Sequence, residues 1–262
     1  MVGGKTQGGQ KMEVPLDRVR SLAVLTGAGI SAESGVPTFR GHGGLWRNYR
    51  PEDLATPHAF RRDHKLVWEW YDWRRALIGD CQPNAAHDTL AEMESYFDGF
   101  TLITQNVDGL HRLAGSRNIV ELHGNIWGLR CTRGCRSPWE DRAVPLHEIP
   151  PHCPDCGALA RPDVIWFGES LPGEALDAAF AAAQRCQVML VVGTSAVVQP
   201  AASLPLAALQ RGAYVVEINP QPTPLSEVVD EAIREPAAVA LPGWWHAWRA
   251  EGNRRSGPQK SS

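Results

Sequence analysis

The 262-residue chain reads as an α/β protein, a parallel sheet covered by helices on both faces. Three observations predict this. Short apolar runs of strand length recur along the chain, helical patterns lie between them, and a glycine-rich turn directly follows the first run. Strands are expected over 22–26, 101–104, 119–122, 188–192 and 213–218, and helices over 85–96, 174–184, 200–210 and 225–233. Two stretches break the alternation. Residues 41–83 are Trp/Arg-rich and mainly helical in pattern, and 127–161 are rich in Cys and Pro.

The first run, Leu22-Ala23-Val24-Leu25, has the make-up of a buried parallel strand. Gly27, Gly29 and Ala32 follow as G-x-G-x-x-A, a form of the dinucleotide fingerprint. In that reading the first glycine makes a tight turn and the second lets the backbone approach a pyrophosphate. The small third residue lets a helix pack on the strand, with its N-terminus toward the anion. A dehydrogenase also carries an acidic residue about 20 positions on, at the end of a second strand. Here 43–48 read Gly-Gly-Leu-Trp-Arg-Asn, with neither strand nor acid. A dinucleotide is expected, without the usual hydride-transfer layout.

Composition narrows the class. A 43% hydrophobic share supports a real core, and no apolar run approaches membrane-spanning length. Residues 1–11 are Gly/Gln/Lys-rich and read as neither signal peptide nor anchor, so the expected location is cytoplasmic. A net charge of -3 argues against nucleic-acid binding by bulk electrostatics. Six cysteines in a chain this long do not suggest a disulfide scaffold.

Four of them are paired at ligand spacing. Cys131 and Cys135 form C-x3-C, and Cys153 and Cys156 form C-x2-C, among Gly and Pro suited to knuckle turns. Four thiolates suit a tetrahedral structural zinc with no open position for catalysis. Cys81 and Cys186 lack such partners and read as buried thiols.

Candidate ligand contacts lie where strands end. Gly193-Thr194-Ser195 follow the run 188–192, and Asn219-Pro220-Gln221 follow Ile218, both at carboxyl ends where open α/β sheets bind ligands. Any one of these alone is better read as a cap or turn. Among nine histidines, His123 stands at the end of the run 119–122. A lone histidine there is more often a packed hydrogen-bonder than a base.

Taken together, several longer motifs carry a resemblance. Residues 27–41 read GAGISAESGVPTFRG, followed by TQNVDGLH over 104–111, Leu122-His123-Gly124, the cysteine pairs, VIWFGE over 164–169 and Gly193-Thr194-Ser195. In this order the chain resembles the sirtuins, NAD-dependent protein-lysine deacylases, from about Ser21 to about Pro242. The resemblance implies a Rossmann-like NAD-binding domain over 14–41, 84–126 and 162–250. It implies a small helical and zinc-ribbon domain over 42–83 and 127–161, with the active cleft between them. Residues 1–13 and 251–262 are expected to be disordered tails.

The resemblance also implies site roles. Gly27, Ala28, Gly29, Ile30, Ser31, Ala32 and Glu33 would form the NAD loop, and Phe39 and Arg40 would close over nicotinamide. Pro37, Thr38, Trp46 and Val107 would be further cofactor contacts, and Gln105, Asn106 and Asp108 would meet ribose and nicotinamide. Gly193, Thr194, Ser195, Asn219, Pro220 and Gln221 would hold the adenosine half, with Ala237 against adenine. His123 would be the base: the acyl oxygen attacks the ribose carbon as nicotinamide leaves, and His123 takes a proton from the ribose hydroxyl that attacks the O-alkylimidate. Free lysine and 2'-O-acyl-ADP-ribose result. Val164, Ile165, Trp166, Phe167 and Gly168 would pair with substrate backbone as an added strand.

One feature points to a subclass. Tyr71 and Arg74, at i and i+3 of an expected helix, share a face and resemble the acyl-pocket motif of class III sirtuins, with Ala55 as the small residue that enlarges the pocket. An arginine fork can hold the carboxylate of a succinyl or malonyl group. Arg75 stays open as the alternative. The expected partners are acyl-lysine proteins, with no membrane or nucleic acid, and the chain is expected to be a monomer. A zinc-ribbon adaptor with a vestigial nucleotide fold would not need His123, Asn106 and Asp108, which are intact. ADP-ribosyl transfer from the same NAD pocket stays open as a side activity.

Overall fold

The computed structural model describes residues 18–39 and 50–255, with the side chains of Pro51 and 251–255 left aside. Its elements are β1 (Ser21–Thr26), α1 (Pro51–Leu54), α2 (Pro57–Arg62), α3 (His64–Gly79), α4 (Ala85–Tyr96), β2 (Gly99–Thr104), α5 (Leu110–Leu113) and β3 (Ile119–Glu121). There follow β4 (Gly124–Cys131), β5 (Trp139–Glu140), β6 (Ala160–Val164), α6 (Gly173–Arg185), β7 (Val188–Val192), α7 (Leu204–Gln210), β8 (Tyr214–Ile218), β9 (Glu231–Ile233) and α8 (Ala237–Arg255).

Six strands form one sheet in the order β3-β2-β1-β7-β8-β9, every neighbour parallel. Alternation along the strands decides which face each residue covers. Leu22, Val24, Leu102, Leu190 and Val216 pack under α4 and α8 with Leu90, Met93, Leu241 and Trp245. Their neighbours Ala23, Leu25, Ile103, Val191 and Val215 pack on the other face with Ala179 and Ala183 of α6 and Leu204 and Ala208 of α7. The strand order reverses between β1 and β7, so their carboxyl ends open a crevice.

The second body is a three-stranded antiparallel sheet, β5-β4-β6, which the sequence pattern did not suggest. Helix α3 lies against it: Trp68, Tyr71 and Ile78 join Ile126, Leu129, Ala160 and Trp166 in one buried cluster, and Trp68 Nε1 donates to Ala160 O at 2.9 Å.

Three expectations are corrected. Residues 225–233 are not a helix. Thr223 and Ser226 bond the buried Glu217 carboxylate, which fixes a turn there, and Glu231–Ile233 then add to β8 as β9. The apolar spacing of Leu225, Val228 and Val229 mimics a helical face. Conversely, a helix does form over Ala237–Arg255 despite Pro242 and Gly243, running into the stretch expected as a tail. Burial of Leu241, Trp245 and Trp248 outweighs the local propensity. After β1 comes a seven-residue 3-10 helix, Ala28–Ser34, rather than the α-helix of the dinucleotide fingerprint.

Candidate active site

The crevice floor is made by two loops pressed together. Gly27 N donates to Val192 O at 3.1 Å and Gly29 N donates to Gly193 O at 2.8 Å. A Cβ on Gly27 would lie 2.8 Å from Thr194 Cβ, and one on Gly29 would lie 2.7 Å from Gly193 Cα. Gly193 itself has φ +63°, and its Cβ would strike Ile30 N at 2.3 Å. Gly27, at φ -131°, is extended, so it makes no strained turn. Both glycines are therefore required first by the fit of the β1 loop on the β7 loop, which corrects the tight-turn reading of Gly27.

Above this floor lies a buried polar network. Ser31 Oγ donates to Asp108 Oδ2 at 2.8 Å, and Asn106 Nδ2 donates to Ser31 Oγ and Gly27 O, both at 3.2 Å. Asp108 Oδ1 accepts from Leu110 N at 2.9 Å. Burial raises the Asp108 pKa, while the bonds from Leu110 and Ser31 and the charge of Arg74 oppose the rise. Gln105 Nε2 donates to Thr194 Oγ1 at 2.9 Å, so the β2 and β7 ends are tied across β1.

Two residues outside the expected set support this network. His87 Nε2 lies 3.4 Å from Ser31 Oγ, and its Nδ1 accepts from Asn84 N at 3.3 Å. His111 Nε2 lies 2.9 Å from Thr26 Oγ1, which donates to Thr104 Oγ1 at 2.8 Å. The two rings are 4.9 Å apart. Burial holds His87 at about 4, and burial with the neighbouring His87 pushes His111 well below its ordinary value. Both are neutral. The sequence signals were Asn84-x-x-His87 as a helix start and His111 as the last residue of the motif over 104–111; nothing in the pattern links position 111 to position 26.

His123 follows β3 at the mouth of the crevice. Its Nδ1 lies 2.9 Å from Gln105 O. A carbonyl can only accept, so the Nδ1 carries the proton and Nε2 keeps a free lone pair. Burial lowers its pKa, partly offset by that hydrogen bond. The tautomer of His123 is thus set by the backbone.

Adjacent arginines on α3 have opposite surroundings. Arg75, fully buried, bonds Asp141 Oδ1 at 2.8 Å, Ala143 O at 3.2 Å and also Asp141 O, and it stacks over Trp127. Arg74, 5% exposed, makes no hydrogen bond among the described residues. Its guanidinium lies between the rings of Phe39 and Trp70, 4.9 Å from each centroid. Burial lowers its pKa, opposed by the nearby Tyr71 and Asp108. A small cleft lined by Val36, Pro37, Arg74, Leu77 and Ile78 opens there. Tyr71 Oη, one turn away, accepts from Trp166 Nε1 at 2.9 Å. Ala55 is buried, and its carbonyl accepts from Phe167 N at 3.0 Å.

Other expected residues divide. Ser195, Asn219, Pro220 and Gln221 lie at the carboxyl ends of β7 and β8, and Ala237, 3% exposed, opens α8. Ile30 is buried in the core, its backbone under Gly193. Glu33 Oε2 accepts from Ala238 N at 2.7 Å, so it holds the start of α8. Ala28 and Ala32 lie in the 3-10 helix, Pro37 and Thr38 follow it, and the Val107 carbonyl accepts from Ile126 N at 2.8 Å. Arg40 and Trp46 lie outside the described residues. The run 164–168 is not one strand edge. β6 stops at Val164, Ile165 N donates to His123 O, Phe167 N to Ala55 O and Trp166 N to Glu169 Oε2. A turn over 166–169, with Gly168 at φ +86°, takes the place of extended backbone.

At the far end of the small sheet, Cys131, Cys135, Cys153 and Cys156 converge with all sulfurs within 4.8 Å. Cys135 Sγ lies 3.5, 3.4 and 3.3 Å from the sulfurs of Cys131, Cys153 and Cys156, and Cys131 lies 3.6 Å from Cys156. Tetrahedral zinc–thiolate bonds of about 2.3 Å put sulfurs about 3.8 Å apart, so the four fit one zinc ion.

Fold and site together define a nucleotide-binding α/β protein with a four-cysteine metal module and a buried polar network at the carboxyl ends of its parallel strands. Residues 27–200 match the Sir2 family. An NAD-dependent protein deacylase of Aquifex aeolicus is 55% identical over 221 residues, 84% of this chain and 92% of the relative. A solved Sir2 homologue in complex with NAD has a TM-score of 0.84 at 48% identity, covering 91% of this chain and 93% of its own. A mutant Sir2 homologue with ADP-ribose superposes at a TM-score of 0.87 and 46% identity, over 94% of this chain and 97% of its own. The chain belongs to the Sir2 family.

Proposed function

We propose that the chain is an NAD-dependent protein-lysine deacylase that prefers acidic acyl groups, succinyl and malonyl ahead of acetyl. NAD, when bound, supplies an electrophilic ribose carbon with nicotinamide as leaving group. The Nε2 of His123 accepts the proton of the ribose hydroxyl, because Gln105 O holds the other ring nitrogen as donor. The Gly27/Gly193 floor and the Ser31–Asn106–Asp108 network present small and hydrogen-bonding groups, which suit a dinucleotide at a sheet switch point. The four cysteines hold one structural zinc, away from the chemistry.

The observation that carries the acyl preference is the contrast on α3. Arg75 is paired with the Asp141 carboxylate through Nη2, although its Nε and Nη1 are buried without a partner among the described residues, whereas Arg74 is a buried charge with no acceptor at all among them. A buried unpaired charge is costly unless a ligand completes it, and a distal carboxylate does so with the Tyr71 hydroxyl as a further donor. In this reading the substrate reaches the cleft between the units 14–41, 84–126 and 162–250 and the units 42–83 and 127–161. The protein acts as a monomer on cytoplasmic acyl-lysine proteins; no helix among the described residues is long and apolar enough to cross a membrane. The test is a panel of succinyl-, malonyl- and acetyl-lysine peptides with NAD, with products read by mass. Higher kcat/KM on the acidic groups is expected. A preference for acetyl would overturn the acyl reading and leave deacylation standing; no NAD-dependent product would overturn both.

A further inference from the structure

The turn after β6 is closed by a clamp that the reaction does not itself require. Arg161, on β6, donates from both terminal nitrogens to Glu169, at 2.6 and 2.9 Å, and also to Val164 O at 2.9 Å. The Glu169 carboxylate then accepts from Trp166 N at 2.8 Å. The guanidinium lies flat on the Trp166 ring, 3.6 Å from its centroid, and Phe60 packs against the same indole at 5.2 Å. The pair is sheltered, with side chains 13% and 23% exposed. Backbone and ring of Trp166 are thereby fixed by one ion pair. The fixed ring aims its N–H at Tyr71 Oη, 2.9 Å away.

That aim has a chemical consequence. A phenol has one proton and two acceptor sites. With one acceptor site filled by the indole N–H, the hydroxyl proton is turned away from Trp166, and Arg74 shares the face of α3 that carries Tyr71, at i+3. We propose that Arg161 and Glu169 are positioning residues for acyl-chain discrimination, acting through the Trp166 indole on the Tyr71 hydroxyl. This rests on Tyr71 and Arg74 facing the acyl group, as argued above. Bidentate geometry and stacking explain why arginine stands at 161, since lysine could supply charge but neither fork nor plane. Glu169 reinforces the assignment: burial would raise its pKa, yet the bonds from Arg161 and Trp166 N hold it below the ordinary carboxylate value.

The experiment compares kcat/KM on succinyl- and acetyl-lysine peptides for wild type, Glu169→Gln, Tyr71→Phe and the double variant, each with zinc and NAD present. Glu169→Gln is expected to shift the succinyl-to-acetyl ratio about five- to tenfold, the scale of one misdirected hydrogen bond. In the Tyr71→Phe background the same substitution should move that ratio less than about twofold, because the group it acts through is gone. Equal losses on both peptides, or an undiminished shift in the Tyr71→Phe background, would overturn the proposal and make the clamp a fold element only. The wild-type ratio from the same assay separately decides the acidic preference, and the cycle stays decisive whichever acyl group wild type favours. Should Glu169→Gln not fold, Arg161→Lys carries the same comparison.

Discussion

The crevice beside β1 and the far end of the small sheet are both clusters of polar groups, yet they are completed differently. In the crevice nearly every donor meets an acceptor from the chain: Ser31 with Asp108, Asn106 with Gly27 O, Gln105 with Thr194, His123 with Gln105 O. At the small sheet four thiols converge on one another, Cys131 and Cys153 buried, Cys156 half-buried and Cys135 exposed. The first cluster is a scaffold that exists without a ligand. The second is held in shape by what it binds. Arg75 and Arg74 repeat the contrast one residue apart, one paired with Asp141 and the other set between the rings of Phe39 and Trp70 with no acceptor among the described residues.

The comparison breaks most visibly if the metal is removed. Structural zinc in small modules contributes about 10–16 kcal/mol. Chelation or Cys153→Ala should therefore unfold β4–β6, seen as lost amide-exchange protection there, while β1, β2 and β7 stay protected. Unchanged protection in zinc-free protein, or no zinc by elemental analysis, would refute the metal role. Next in size is His123→Ala, expected to cut turnover about 10²–10⁴-fold with ADP-ribose binding retained in calorimetry. In wild type the acid limb of kcat/KM should fall below pH 6.5, because burial depresses the His123 pKa.

Arg74→Met sharpens the contrast on α3. It should lose the acidic acyl substrates selectively, by about 1.5–3 kcal/mol in kcat/KM, and cost acetyl substrates little. Equal loss on both peptides would show that Arg74 serves the fold, as Arg75 does. The smallest effect concerns the internally complete cluster. His87 is depressed to about 4 in the folded protein, so its stabilisation is present above the unfolded value near 6.5 and is lost as pH falls toward 4. Between pH 7 and pH 5 the folded state should lose about 2 kcal/mol through this group. Protonation would put a second hydrogen on Nδ1, facing the Asn84 N–H. A His87→Gln protein whose melting temperature kept the full wild-type pH slope over this range would contradict it.

The sequence by itself determined what depends on neighbours along the chain. Apolar runs of strand length announced β1, β2, β3, β7 and β8, and the helical pattern over 85–96 announced α4. Two short-range cysteine pairs identified the metal module, and the long glycine-rich run identified the family. The tertiary structure decided whatever depends on residues meeting across the fold. Helix α8 forms through Pro242 because its tryptophans are buried against the sheet. Residues 231–233 are strand because β8 offers an edge to pair with. Gly27 and Gly29 are glycine because another loop lies against them. Arg74 and Arg75 are indistinguishable as letters; only the position of Asp141, 66 residues on from Arg75, tells which guanidinium already has a carboxylate partner.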